Sequence, residues 1–103
     1  MDNLNDYIKE AFDSKNKGDY KKAIDYFYKA LALENDSSEI MFELAQLYFL
    51  LSQNDRALSL YEQIFSKNID NNEIKLQYAF LLKRVKNYAK AEQLFADLYD
   101  RDY

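Results

Sequence analysis

The chain has 103 residues, of which 49% are hydrophobic and 31% are charged, a balance typical of one small globular domain rather than of a disordered segment. It contains no cysteine and no histidine, which excludes disulfides, thiol or imidazole nucleophiles, and thiolate or imidazole metal ligands. The net charge of −4 disfavours a nucleic-acid partner, because phosphate neutralisation needs a clustered basic surface.

The first ten residues include acids and no apolar run, so they do not resemble a secretory signal. No stretch approaches about 18 consecutive apolar residues, so we expect no transmembrane helix and no membrane partner. A cytoplasmic location agrees with these features, although they do not require it. The sequence also contains no motif that indicates a cofactor or a metal ion.

The absence of proline and the single glycine, Gly18, favour a mostly helical chain. Apolar residues recur at helical spacing from about Asp2 to Lys15, and Asp2 is the expected N-cap of this first helix. The polar stretch around Gly18 predicts a turn. Asp19 is then expected to cap a second helix, which ends near Glu34.

Two further helix pairs follow with the same organisation. The third helix begins at about Asp36 and the fifth at about Asp70, and each acid is followed three residues later by a glutamate, as in a capping box. The third helix is apolar over more than one stripe, which predicts that other helices cover it on two sides. Polar breaks at 52–55 and 67–72 end the third and fourth helices, and the sixth helix follows Asn87.

Small residues recur along the chain at one constant interval of 34 residues. The two alanine series are Ala11, Ala45 and Ala79, and Ala23, Ala57 and Ala91. A period near 34 residues is typical of stacked helix pairs, in which alanines on facing helices let two backbones approach closely. Alanine is also a common helix former, but two complete series at one interval argue against chance. We therefore predict an all-α solenoid, an α-α superhelix of three antiparallel helix pairs with these alanines buried inside it.

An aromatic residue stands four positions after each alanine of the second series, namely Phe27, Tyr61 and Phe95. This register resembles the tetratricopeptide repeat, whose pattern is Trp-x2-Leu-Gly-x2-Tyr, then Ala-x3-Phe, then Pro. In the second repeat the matching residues are Met41, Leu44, Ala45, Tyr48, Ala57 and Tyr61. The chain departs from the family pattern at Asn35, Ile69 and Tyr103, where proline is usual. We expect one domain, residues 1–103, of three repeats at about 2–35, 36–69 and 70–103.

The resemblance implies that the first helices of the pairs line a concave groove that holds a peptide of a partner protein. By this analogy the groove residues are Ile8, Phe12, Lys15, Phe42, Gln46, Phe49, Leu76, Phe80 and Lys83. The four phenylalanines among them suit apolar anchors from a partner segment. The alternative is that these side chains fill space between neighbouring helices.

One subclass of this family binds the acidic C-terminus of heat-shock chaperones through a basic clamp. The positions that match the clamp are Ile8, Phe12, Glu43, Glu73 and Gln77, and none of them is Lys, Arg or Asn. Because Glu43 and Glu73 would repel a carboxylate, we expect that this class of partner does not bind.

The leading hypothesis is a protein–protein interaction module that binds a peptide or helix through apolar anchors. The alternative is a structural assembly or oligomerisation segment of a longer scaffold protein. We do not expect an enzyme, because the acids are spread over solvent faces and caps and no phosphate loop or nucleophile motif is present. We interpret Lys83, Arg84 and Lys86 as a solvated helix end rather than as a nucleic-acid contact.

The last helix carries apolar residues that no later repeat in this sequence covers: Phe95, Leu98 and Tyr99. The terminal repeat of a solenoid needs a polar outer face to remain soluble. Either the chain continues in a longer protein, or two chains join edge to edge as a homodimer. We predict that the isolated chain self-associates through this edge.

Overall fold

The computed structural model describes residues 3–67 and 70–100, without the side chain of residue 100. It contains six α-helices: α1 (Leu4–Asn16), α2 (Tyr20–Leu33), α3 (Ser38–Leu50), α4 (Asn54–Phe65), α5 (Asn72–Arg84) and α6 (Tyr88–Asp100). None of the described residues lies in a β-strand. The predicted all-α solenoid of helix pairs is therefore confirmed.

The helices pack as three successive pairs, α1 with α2, α3 with α4 and α5 with α6. Neighbouring pairs join through α2 against α3 and α4 against α5, and α3 also contacts α5 directly. The resulting body is elongated and measures 47 × 25 × 21 Å. As its sequence indicated, α3 is covered by helices on more than one side.

Both alanine series lie inside the stack, where each member is buried: Ala11, Ala23, Ala45, Ala57, Ala79 and Ala91. A methyl group at these positions allows paired helices to approach closely, which a longer side chain would prevent without overpacking. The register read from the sequence therefore marks the packed seam of each pair.

The three first helices begin one residue later than the acids that the sequence suggested as caps. The caps of α1, α3 and α5 are Asn3, Ser37 and Asn71, whose side-chain oxygens accept hydrogen bonds of 2.9, 3.2 and 3.0 Å from backbone amides. The prediction was therefore wrong for Asp36 and Asp70, and Asp2 lies outside the described residues. A neutral Asn or Ser side chain satisfies the first-turn amides as well as Asp does. The prediction for Asp19 is confirmed, since it accepts from the Lys22 amide at 3.2 Å.

The displaced acids form ion pairs instead. Asp36 lies 3.4 Å from the Lys67 ammonium, and Asp70 lies 3.1 Å from the ammonium of Lys75. Lys75 is buried and also donates to Asp97 of α6 at 2.8 Å. These contacts connect helix ends within and between neighbouring pairs.

Each first helix ends in the same left-handed turn. Gly18, Ser52 and Lys86 have φ angles of 82°, 59° and 68°, and they follow one another at the 34-residue interval. In each turn the next amide bonds back to a carbonyl in the last helical turn, as in Gln53 N to Tyr48 O at 2.8 Å. This is the Schellman arrangement, which satisfies carbonyls that the helix end leaves unpaired. The sequence predicted the turn at Gly18 but gave no indication of the left-handed backbone at Ser52 and Lys86.

Candidate functional site

The first helices of the pairs share one face of the molecule, which we call the first-helix face, and two pockets lie on it. The N-terminal pocket, of about 170 Å³, is lined by Ile8, Phe12, Phe27, Glu34, Ser37, Glu39, Ile40 and Glu43. The central pocket, of about 230 Å³, is lined by Lys15, Gln46, Phe49, Leu50, Tyr61 and Gln77. Both are open depressions with an apolar floor and polar margins.

The structure brings the expected groove residues together in two groups. Ile8 and Phe12, one helical turn apart on α1, both line the N-terminal pocket. Lys15, Gln46 and Phe49 line the central pocket, so α1 and α3 contribute to the same depression.

The α5 residues of the expected set lie apart from these two pockets. Phe80 is 43% exposed and Lys83 is exposed, but neither lines a pocket with the others. Leu76 lines a third pocket, of about 350 Å³, which we call the edge pocket. Its other lining residues are Asn72, Glu73, Phe95, Leu98 and Tyr99, which include the three residues of the expected self-association edge.

Phe42 is not an accessible groove residue, and this part of the prediction was wrong. It is only 8% exposed, and its ring centre lies 6.2 Å from that of Tyr61 on α4. Tyr61 in turn stacks on Tyr78 of α5 at 5.0 Å, with an angle of 14° between the ring planes. Phe42 therefore belongs to the aromatic core that joins the second and third pairs. Its burial follows from the position of α3 between other helices.

The N-terminal pocket is built from α1, the first turns of α3 and the connection before α3. The edge of the Phe12 ring meets the buried Phe27 ring at 5.2 Å and 88°, which fixes Phe12 while leaving it 38% exposed. The margin carries Glu34, Glu39 and Glu43. The pocket is therefore apolar at its base and acidic at its margin.

An ion pair marks the boundary between the two pockets. The Lys15 ammonium donates to Glu43 at 2.9 Å, which links α1 to α3. Glu43 lines the N-terminal pocket and Lys15 the central one. The ammonium also lies 5.7 Å from the centre of the Phe12 ring, within the range of a cation–π contact. Negative charge thus borders one pocket and positive charge the other.

Sequence reasoning missed one residue at the central pocket. Arg84, which was interpreted as part of a solvated helix end, lies over the ring of Phe49. The two positions do not follow the 34-residue interval, so no signal in the register could have paired them.

Among residues 3–67 and 70–100 there is no group of three or more acids placed to hold a metal ion. In that same part of the chain, no helix has the length and apolar character needed to cross a membrane.

Comparison with known proteins agrees with the helix-pair architecture. A family model described as tetratricopeptide repeat matches residues 17–58, from the end of α1 into α4. This chain is a tetratricopeptide-repeat protein. Six helices in three pairs are consistent with three such repeats. The recognition that the sequence register suggested is therefore confirmed.

Curated relatives include proteins named photosystem I assembly protein Ycf3. The protein of Prochlorococcus marinus subsp. pastoris (strain CCMP1986 / NIES-2087 / MED4) is 29% identical over 65 residues, which cover 60% of this chain and 38% of that protein. The protein of Rippkaea orientalis (strain PCC 8801 / RF-1) is 26% identical over 102 residues, covering 92% of this chain and 58% of that protein. This tetratricopeptide-repeat chain thus spans only 38% to 58% of the length of these relatives.

Two solved structures share the fold at low sequence identity. MamA superposes with a TM-score of 0.85 at 15% identity, over 96% of this chain and 58% of that one. The Yersinia enterocolitica type III secretion translocator chaperone SycD superposes with a TM-score of 0.80 at 23% identity, over 91% of this chain and 71% of that one. At these identities the likeness concerns the tetratricopeptide-repeat fold alone.

Proposed function

We propose that this chain is a protein–protein interaction module that holds a segment of a partner protein against the first-helix face. The observation that carries the proposal is the pair of neighbouring pockets in which partly accessible apolar side chains, Ile8, Phe12 and Phe49, lie on helices fixed by a buried core. A rigid apolar depression with a polar margin is the usual setting of an anchoring side chain in a protein interface.

The proposed contact set keeps the expected groove residues except Phe42. Its members are Ile8, Phe12, Lys15, Gln46, Phe49, Leu76, Phe80 and Lys83. The printed names of two similar proteins, a photosystem I assembly protein and a translocator chaperone, refer to work on other proteins, which supports the class of function but not the partner.

The test is partner capture by the chain and by a double variant of the first-helix face, Phe12→Ser with Phe49→Ser, followed by calorimetry with the captured protein. We expect binding to be lost while the far-ultraviolet circular dichroism keeps its helical shape. Tyr88→Ser is the matched control, because Tyr88 is a 54% exposed aromatic residue on α6 and lines none of these pockets. Binding that survives the double variant would refute the proposal. Loss of helicity would show that the two rings serve the core instead.

Self-association through the α6 edge is the second candidate function. Tyr99 is 64% exposed, and it stacks on Phe95 with ring centres 6.4 Å apart beside the edge pocket. Removing such side chains from water would contribute about 1.5–3 kcal/mol each, which favours contact with a second apolar surface.

Sedimentation measurements over a concentration series test this candidate. We expect the parent chain to increase in mass with concentration and a Leu98→Lys, Tyr99→Lys variant to remain monomeric. The original substitution pair, Phe95→Glu with Leu98→Lys, is a harsher version, because Phe95 also packs against Phe80 at 5.8 Å. A parent chain that stays monomeric at high concentration would reject the candidate.

A further inference from the structure

The N-terminal pocket differs from the central pocket in its charge. Three glutamates line it, Glu34, Glu39 and Glu43, whereas the central pocket has Lys15 and no acid. Glu43 is already paired with Lys15 at 2.9 Å. Glu34 and Glu39 are exposed, and within the described part of the chain neither forms an ion pair. The pocket therefore presents two carboxylates whose charge no basic group of the chain neutralises by contact.

The floor of the same pocket is apolar and fixed. Ile8 and Phe12 lie on it, and the buried residues Phe27 and Ile40 close it from below. Its volume of about 170 Å³ is below the range of about 300–1,000 Å³ that is usual for small-molecule sites. The pocket therefore has the dimensions of a receptor for one side chain of a larger partner.

A lysine or arginine side chain fits this combination of surfaces. Its aliphatic stem can lie along apolar surface while its cationic end remains near water, where Glu34 and Glu39 are. The exposed Phe12 ring adds the attraction of an aromatic face for a cation. The described residues contain no group of acids placed to bind a metal ion, so the negative charge is arranged for a cation carried on a side chain.

The ion pair between Lys15 and Glu43 orients such a segment. Lys15 brings positive charge to the central pocket, so a second cation would be repelled there. The floor of the central pocket includes Phe49 and Leu50, which suit an uncharged apolar side chain. The two pockets therefore ask for different residues from one bound segment.

Resting on the proposed function, we propose that the partner segment is basic and apolar, with a lysine or arginine in the N-terminal pocket beside Glu34 and Glu39 and an apolar anchor in the central pocket. The net charge of −4 favours the approach of such a segment. An acidic segment would place like charges together at the N-terminal pocket, and a neutral segment would leave the two glutamates without a partner.

The experiment uses a library of random linear peptides displayed on phage, selected against this chain. The recovered peptides are then counter-tested on the Phe12→Ser, Phe49→Ser variant to keep those that depend on the first-helix face. We expect the retained peptides to be enriched in lysine or arginine at a fixed spacing from an apolar residue. Their affinity, measured by fluorescence anisotropy, should fall as the salt concentration rises.

Charge-neutralising variants then locate the cation. Glu34→Gln and Glu39→Gln should each weaken the binding of a retained basic peptide by about two- to five-fold, the usual range for exposed ion pairs. Glu92→Gln is the matched control, because Glu92 is an exposed glutamate on α6 that lines none of the three pockets. It should change the affinity little.

The outcomes separate the two proposals. Retained peptides that are neutral or acidic, or basic peptides that bind equally well to Glu34→Gln, Glu39→Gln and Glu92→Gln, would overturn the charge preference and leave the binding face in place. A selection in which every peptide binds the Phe12→Ser, Phe49→Ser variant as well as the parent would overturn both.

Discussion

The guanidinium carbon of Arg84 lies 3.5 Å from the centre of the Phe49 ring, and its Nη1 donates a hydrogen bond of 2.8 Å to the Phe49 carbonyl oxygen. One side chain at the end of α5 thus covers an aromatic ring and satisfies a carbonyl in the last turn of α3. The carbonyls at a helix C-terminus lack partners within the helix, and the helix dipole there favours positive charge. Arg84 therefore joins two successive pairs at the margin of the central pocket.

Replacing Arg84 with methionine should lower the free energy of unfolding by about 1–2 kcal/mol, because both the cation–π contact and the charged hydrogen bond are lost. Arg84→Lys should lose less, since the ammonium keeps the charge but not the planar stacking. Urea denaturation followed by circular dichroism measures both. The neighbouring variant Lys83→Met is the control and should change stability by less than about 0.5 kcal/mol. Equal losses in Arg84→Met and Lys83→Met would show that the contact contributes nothing specific.

The three left-handed turns predict opposite effects at one register. Gly18→Ala should destabilise the fold by about 1 kcal/mol, because alanine pays a steric cost at a φ of 82°. A Cβ there would meet nothing within 4 Å, so the cost is confined to the backbone. Ser52→Gly and Lys86→Gly should each stabilise it by about 0.5–1 kcal/mol. Urea midpoints at constant denaturant slope report the three changes, and the same sign at all three positions would contradict this account.

Two phenylalanines of the expected groove should respond differently to truncation. Phe42→Ala should cost about 3–5 kcal/mol, because it opens a cavity in the aromatic core beside Tyr61. Phe80→Ala should cost about 1 kcal/mol, since Phe80 is 43% exposed and its main aromatic contact is with Phe95. Thermal unfolding of the two variants gives the comparison. Similar losses at both positions would mean that Phe42 is no more a core residue than Phe80.

The buried hydroxyl of Tyr61 makes the fold sensitive to alkaline pH. Burial raises the pKa of Tyr61 above its ordinary value of 10.0, because the tyrosinate is poorly solvated inside the core. The stabilising contribution of the neutral phenol is therefore complete below pH 10 and is lost as the pH rises further, by up to about 1.4 kcal/mol for each pH unit. Burial together with the neighbouring Tyr48 also raises the pKa of Tyr28, to about 12, so both groups act in the same range.

The variant Tyr61→Phe isolates this contribution. Between pH 10 and pH 12 its stability should fall less steeply than that of the parent, while the two should differ by a constant amount at neutral pH. Urea unfolding at a series of pH values measures the slopes. Parallel slopes would show that the Tyr61 hydroxyl ionises as readily in the folded chain as in the unfolded one.

The N-terminal pocket illustrates how far the sequence could define the site. Helical spacing placed Ile8 and Phe12 on one face of α1, because residues four apart lie one above the other on a helix. The sequence did not indicate that Glu34, in the connection before α3, borders the same pocket. The path of a connecting segment depends on how the helices around it pack, and no periodicity within the segment encodes that path.

The sequence by itself determined the six helices and the buried alanine seams, because apolar periodicity and a repeated interval of 34 residues act within each helix and pair. Only the tertiary structure decided which equivalent residues are accessible. Ile8, Phe42 and Leu76 occupy one register, yet Phe42 is buried while Ile8 and Leu76 are partly exposed. The reason is the number of neighbours: α3 packs against α2, α4 and α5, whereas α1 packs chiefly against α2. Repeated sequence specifies equal local structure, but burial depends on the helices on either side, which differ from one pair to the next.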